Sequence, residues 1–409
     1  MPSCSPTARE SKLADIIEPY RDISHPLYYW ETSDGLTSAY KIEKSTSEIE
    51  IVLSEREGFR SIQCSRNATY ILSDNRYGYL QIERMETDWD ITTLVNPDYD
   101  LTAISDAPWV VSDNDVIAVS GVDDSGNYRV MKLTFSRREI EQTWRDEEQP
   151  EPEISADQQV WLTTDKIPGE ISISADGTRL GFKLPSENDP TLNQLYFLDE
   201  SGSDPILISD WPVYELGGFS PDGTKFLATF ELEGRIDLYM IDTASLELEE
   251  ITRVSLGYIA GSPVWHPTRR YFLYTTNFTT EYKLGDTPLN GEQLYLYSLD
   301  SRNERRMTAF DAMQLWCDFA PNGDFLMYSS TPGVISRTGR ASREEAQLEA
   351  AQSGLDTWRL YYIPWVQEDF VSSNPRILSP DEIQFLVSWT SGGGDEYGFA
   401  WGPYPASTD

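Results

Sequence analysis

The sequence predicts an all-β protein built as a ring of four-stranded sheets, a β-propeller. Three observations predict it: a turn signature that recurs along the chain, an apolar strand after each copy, and two further strands before the next copy. The clearest turns are Ser174-Ala175-Asp176-Gly177-Thr178 and Ser220-Pro221-Asp222-Gly223-Thr224. Ala320-Pro321-Asn322-Gly323 and Trp265-His266-Pro267 are weaker copies. Ser24-His25-Pro26, Cys64-Ser65-Arg66-Asn67 and Val111-Ser112-Asp113-Asn114 are degenerate ones. The anchors at 25, 65, 112, 174, 220, 266 and 320 are 40 to 62 residues apart, the length of one blade plus loop insertions. Proline at the first corner presets φ, and Asp/Asn-Gly supplies the reversal between adjacent strands.

Each anchor is followed by an apolar strand: Leu27 to Trp30, Tyr70 to Leu72, Val116 to Val119, Leu180 to Leu184, Phe226 to Phe230, Tyr271 to Tyr274 and Phe325 to Tyr328. A third strand with alternating or aromatic character recurs at Ala39 to Ile42, Tyr79 to Ile82, Tyr128 to Leu133, Leu195 to Leu198, Leu238 to Ile241, Leu294 to Leu299 and Leu360 to Ile363. A fourth closes each unit, at Ile49 to Leu53, Ile91 to Val95, Ile140 to Trp144, Ile206 to Ile208, Leu248 to Ile251, Arg305 to Thr308 and Arg376 to Leu378. A lone four-stranded sheet leaves both faces wet, and radial stacking covers them. The expectation is seven blades over residues 20–380, with six or eight as alternatives. Residues 1–19 form an N-terminal extension, and 381–409 a C-terminal hairpin or tail.

Three segments depart from the repeat. Arg145 to Glu153 is charged and proline-punctuated, and reads as a solvated loop between blades or a partner tail. Ala341 to Gln352 reads as a short helical insertion in the last blade, with Ser342 and Glu345 as a capping box and Gly354 as the C-terminal cap. Ile383 to Trp389 and Tyr397 to Trp401 read as strands around a glycine turn, either joining the closing blade or lying beside it.

Charge narrows the partners. Among 409 residues, 68 Asp and Glu stand against 32 Lys and Arg, a net charge of −36. Such a surface repels nucleic-acid phosphates and anionic lipid. Because 24 of the 32 cations are Arg and only 8 are Lys, two readings stand: an acidic soluble protein, or a halophilic one kept soluble in concentrated salt. Cys4, Cys64 and Cys317 form neither a disulfide framework nor a metal-ligand spacing, and two histidines make zinc or haem sites improbable. No apolar run reaches membrane-helix length, and Met1 to Glu10 holds no signal-peptide core, so membrane insertion is not expected and a cytoplasmic location is. The alternative is an exported or lipid-anchored form, with Cys4 left after removal of a leader.

Catalytic motifs are missing from the pattern. Gly218-Phe219-Ser220-Pro221-Asp222 lacks the second glycine of a nucleophile elbow and is already a blade anchor. His25 and His266 stand at equivalent repeat positions, where other blades carry Ser or Ala, so both read as turn residues. Asp123-Asp124-Ser125-Gly126-Asn127 reads as a strand-connecting turn, since the distal Glu of an EF-hand is absent. Phosphate and dinucleotide loops are lacking, so no catalytic residue, metal or cofactor is expected. No motif supports a lyase or glycosidase using channel carboxylates. Four aromatics, Trp211, Tyr214, Tyr258 and Trp316, lie in the segments leading into the first strands of the fifth, sixth and seventh blades. They form either a contact site for a peptide or protein, or wedges between blades.

The unit from Ser220 to Phe230, followed by Ile236-Asp237-Leu238-Tyr239-Met240-Ile241-Asp242 and Leu248-Glu249-Glu250-Ile251-Thr252, resembles the TolB-type (WD40-like) propeller repeat. The resemblance runs from about residue 20 to 380 and is eroded over the first 150 residues. It implies the fold and leaves function open. The segment from Ile383 to Pro405 also resembles the passage from propeller to hydrolase domain in prolyl-oligopeptidase-family peptidases. The expected function is a non-catalytic platform for a protein or peptide partner. The alternative is the substrate-gating propeller half of such a serine peptidase, lacking its hydrolase domain.

Overall fold

The computed structural model describes side chains over 116–134 (124 aside), 157–200, 204–255, 258–276, 293–307 and 317–320, and at 323 and 326; elsewhere it describes the backbone of the strands named below. Among these residues every regular element is a strand. The strands make seven sheets of four or five strands and one two-stranded hairpin.

Each apolar run after a turn signature is the second strand of its sheet, as expected. In the fourth sheet, Arg179–Pro185 pairs with Ile171–Ile173 on one side and Asn193–Asp199 on the other, with Ile206–Leu207 outermost. In the fifth, the order is Val213–Phe219, Lys225–Leu232, Arg235–Asp242 and Leu248–Glu250. In the sixth it is Ala260–Trp265, Tyr271–Thr276, Gln293–Ser298 and Asn303–Arg306. The hairpin of Lys283–Leu284 with Thr287–Pro288 is inserted between its second and third strands.

Two outer strands differ from expectation. In the third sheet, the fourth position beside Tyr128–Thr134 belongs to Asp157–Thr164; Ile140 to Trp144 lies outside the described residues. Asp157–Thr164 escapes a reading for apolar runs because four of its eight residues are exposed, as befits an edge strand. In the seventh sheet, Gln384–Ser391 pairs with Asp356–Pro364, while Arg376 to Leu378 lies outside the described residues. The last two strands do not pair with each other: Tyr397–Trp401 joins the first sheet, against Leu27–Ser33. Glu153–Ile154, where the charged segment ends, adds to the second sheet parallel to Ile91–Leu94. The expected helix at Ala341 to Gln352 lies outside the described residues.

The core lies between sheets. Val116, Ala118 and Val130 of the third sheet bury against Leu180, Phe182 and Leu184 of the fourth. Leu195 and Phe197 of the fourth meet Phe226, Ala228 and Phe230 of the fifth. Leu227 and Leu238 of the fifth meet Trp265, Phe272 and Tyr274 of the sixth. Second strands are therefore apolar on both faces, which is why they were the easiest elements to read. First strands of consecutive sheets run side by side: Ile171–Ile173 touches Val213–Phe219, which touches Ala260–Trp265, which touches Gln314–Phe319.

The turns explain the repeat. Ser220 Oγ donates to Asp222 Oδ1 at 2.7 Å and accepts from Lys225 N at 2.9 Å. Asp222 Oδ1 accepts from Thr224 N at 3.0 Å, and Gly223 takes φ of 68°. Ser174, Asp176, Thr178 and Gly177 repeat the arrangement in the fourth sheet. These bonds satisfy the reversal's own donors and, against the upward push of burial, hold both carboxyls below the usual range.

Candidate functional site

Strand direction gives each sheet two ends. The Ser-Asp-Gly turns mark one, here the turn end. At the other, the entry end, each chain crossing begins a new first strand and the second strand hands over to the third. The entry end carries the loop 186–192 and the hairpin of Lys283–Leu284 with Thr287–Pro288.

All four aromatic candidates belong to the entry end by their chain position. Trp211 lies in the crossing from fourth to fifth sheet and is 38% exposed. Its ring packs on Phe230 (6.1 Å, 78°) and Tyr239 (5.4 Å, 54°), at the rim of the core between those sheets. Burial pushes the Tyr239 hydroxyl up to about 12, so it stays protonated. Tyr214, at the start of the first strand, is 54% exposed. Tyr258 packs against the core between the fifth and sixth sheets, its carbonyl accepting from Ile236 N at 3.1 Å and its N–H donating to Ser255 O at 3.0 Å. That is a wedge-like position. Trp316 sits in Gln314–Phe319 opposite Ser329, and its side chain lies outside the described residues.

Sequence reading missed a polar line joining first strands across three sheet junctions. Lys183 Nζ pairs with Glu170 Oε2 at 2.6 Å and donates to Tyr214 O at 2.7 Å. Glu170 Oε2 also accepts from Leu216 N at 3.2 Å, so one ion pair holds the fifth sheet's backbone to the fourth. Glu215 Oε2 accepts from Ser262 N at 2.7 Å, stapling the fifth sheet to the sixth. Cys317 Sγ donates to Ser262 O at 3.5 Å, reaching the seventh. Close approach requires small residues here: a Cβ on Gly217 would lie 2.6 Å from Pro263 Cγ. The sequence signals were a lysine inside an apolar strand and a glutamate before Gly217-Gly218. Neither names its partner.

Burial pushes the Glu215 carboxyl up, with the Glu170 charge adding, against the opposing bond from Ser262 N–H. Burial likewise pushes the Cys317 thiol up, leaving it little thiolate character. The cluster is thus built as staples. Among the described residues no three His, Cys, Asp or Glu side chains stand together to hold a metal ion.

His266 is a turn residue in the structure. Its Nδ1 accepts from Thr268 N at 3.2 Å, two residues on, where the serine hydroxyl of other turns accepts from five residues on, and its Nε2 faces Gly323 O at 3.2 Å. These partners place the proton on Nε2. The ring is buried against Tyr271 and Phe319. His25 lies outside the described residues. No helix among the described residues is long and apolar enough to cross a membrane.

No protein-family model matches the chain, and no curated protein matches it in sequence. Solved structures do. Puromycin hydrolase aligns with a TM-score of 0.53 at 9% identity, over 84% of this chain and 51% of its own. An oligogalacturonate lyase in complex with manganese aligns with a TM-score of 0.52 at 12%, over 75% and 82%. The putative TolB from Agrobacterium tumefaciens aligns with a TM-score of 0.44 at 13%, over 93% and 99%. These neighbours are β-propellers of the types the repeat resembles, and the first two place this fold among them. Identities this low carry fold alone.

Proposed function

We propose that the seven sheets are the blades of one closed ring, and that this ring is a non-catalytic platform receiving a protein or peptide at its entry end. The observation that carries the reading is the exposure of Trp211 and Tyr214 at the entry end, since large aromatics left in water at a propeller rim suit an interface hot spot. Tyr258 and Trp316 extend the same end. The pairing of Tyr397–Trp401 with Leu27–Ser33 supports ring closure, and the propeller then runs past residue 380.

The test is purification from native extract near native salt, identification of a stoichiometric partner by mass spectrometry, and titration of that partner against Trp211→Ala and Tyr214→Ala. Each should weaken binding by roughly tenfold or more if it is an anchor. Unchanged affinity in both overturns the surface. A second reading draws on the puromycin hydrolase likeness, in which this chain aligns with about half of the longer protein. Here the propeller gates peptides for a hydrolase domain or subunit. A hydrolase with a Gly-x-Ser-x-Gly motif as the stoichiometric partner favours that reading over a general platform.

A further inference from the structure

Resting on the platform reading, we infer that the occupant of the entry end at the fourth and fifth sheets is a cationic peptide segment, carrying Arg or Lys beside apolar residues. The apolar half of the argument is four side chains left in water on adjoining segments of this end: Ile167 is 55% exposed and Leu192 37%, with Trp211 and Tyr214. Bonds across the loops bring their carriers together. Lys166 Nζ lies 3.7 Å from Glu187 Oε1, tying the crossing that bears Ile167 to the loop that bears Leu192. Gln194 Nε2 donates to Asp210 O at 3.2 Å, tying that same loop's far end to the crossing that bears Trp211. Lys183 Nζ then reaches Tyr214 O.

Charge selects the occupant. Both lysines of this patch are engaged, Lys166 with Glu187 and Lys183 with Glu170. Asp165 and Asp210 have no cation within ion-pair distance among the described residues, and both are exposed. The Asp189 carboxyl is held charged by the Thr191 hydroxyl and N–H. Glu187 and Asp210 both bear on Tyr196, whose hydroxyl is pushed up first by burial and then by these two charges, so their fields overlap over one small region. Exposed apolar side chains on segments that also carry these carboxylates favour a guanidinium or ammonium flanked by apolar groups. A second copy of this chain would bring another −36, and anionic lipid and nucleic acid are repelled alike.

The probes are three labelled peptides of about ten residues, alternating Leu with Arg, Ser or Glu, titrated by fluorescence anisotropy at ~0.05 M and ~0.5 M KCl. The Arg peptide should bind, weaken with salt, and exceed the Ser peptide by tenfold or more; the Glu peptide should not bind. Asp165→Asn with Asp210→Asn should weaken the Arg peptide by roughly three- to tenfold, the sum of two exposed ion pairs. Glu247→Gln with Asp300→Asn, at the turn end, should leave it unchanged. Equal loss from the turn-end pair overturns the inference, because the attraction is then the diffuse field of the whole chain. Equal binding of Ser and Arg peptides overturns the charge class and leaves the platform standing. Binding by none of the three overturns the inference, and the co-purification experiment judges the platform separately.

Discussion

Gly323 and Gly223 occupy the same place in two turns, with φ of 77° and 68°, yet their surroundings differ. Around Gly223 a Cβ would meet nothing within 4 Å; on Gly323 it would fall inside the buried His266 ring, which is fixed through both nitrogens. Gly223→Ala should therefore cost only the left-handed backbone strain, about 1–2 kcal/mol. Gly323→Ala adds overpacking against a ring that cannot swing away, and should cost about 3 kcal/mol or more. Urea midpoints of the two variants test this, and equal costs would contradict the His266 packing. The same comparison shows what one residue's chemistry makes legible. The Ser-x-Asp-Gly turn is readable because the bonds of its Ser and Asp side chains fall within five residues. The histidine at the equivalent position was readable as a turn residue by its place in the repeat, but its bond to Gly323, 57 residues away, was not.

Elements divide in the same way. Second and third strands are buried on both faces, so their composition announces them. Fourth strands bury little: Ile206–Leu207 is exposed throughout, and Asp157–Thr164 mixes exposed polar residues with buried Trp161. A reading by apolar runs thus placed the third sheet's last strand at Ile140 to Trp144 and missed the real partner. The first-strand staples were illegible for another reason, since Glu215 and Ser262 are 47 residues apart and meet only when two sheets stack. That junction carries its own prediction. In the folded chain, burial and the Glu170 charge make Glu215 hold its proton to higher pH than in the unfolded chain. Its contribution is fully present below the ordinary value of 4.5 and is lost as pH rises through the raised one. Glu215→Gln keeps an oxygen for Ser262 N–H and removes the titration. Its stability relative to the parent should rise with pH above 4.5, read as the difference in urea midpoints from acid to neutral pH. A flat difference would mean that the carboxylate is well solvated at the junction.

At the scale of the whole molecule, local signals end and closure begins. First strands stand side by side from the fourth sheet to the seventh and from the first to the second, and in the proposed ring such a series has two exposed ends unless they meet. Tyr397–Trp401 returns to pair with Leu27–Ser33, as the first strand of a sheet whose other three strands come from the N-terminal side, and in the proposed ring this pairing joins the two ends. The sequence showed the strand but not its partner, because the pairing spans almost the entire chain and a five-residue run carries no address. Closure makes a prediction that separates this role from that of a dispensable tail. Deleting residues 396–409 removes five paired positions, leaves Leu27–Ser33 with an open edge, and frees the last sheet from the first. The truncated chain should unfold at lower urea, with a broader transition as the sheets lose their cooperative ring, and should lose protection from hydrogen exchange in the first and seventh sheets before the fourth and fifth. A synthetic peptide of residues 396–409 added in excess should restore part of the lost midpoint, since it binds only the folded edge. A truncated chain as stable and as cooperative as the parent would show that the proposed ring does not depend on this strand, and would return residues 396–409 to the status of a tail.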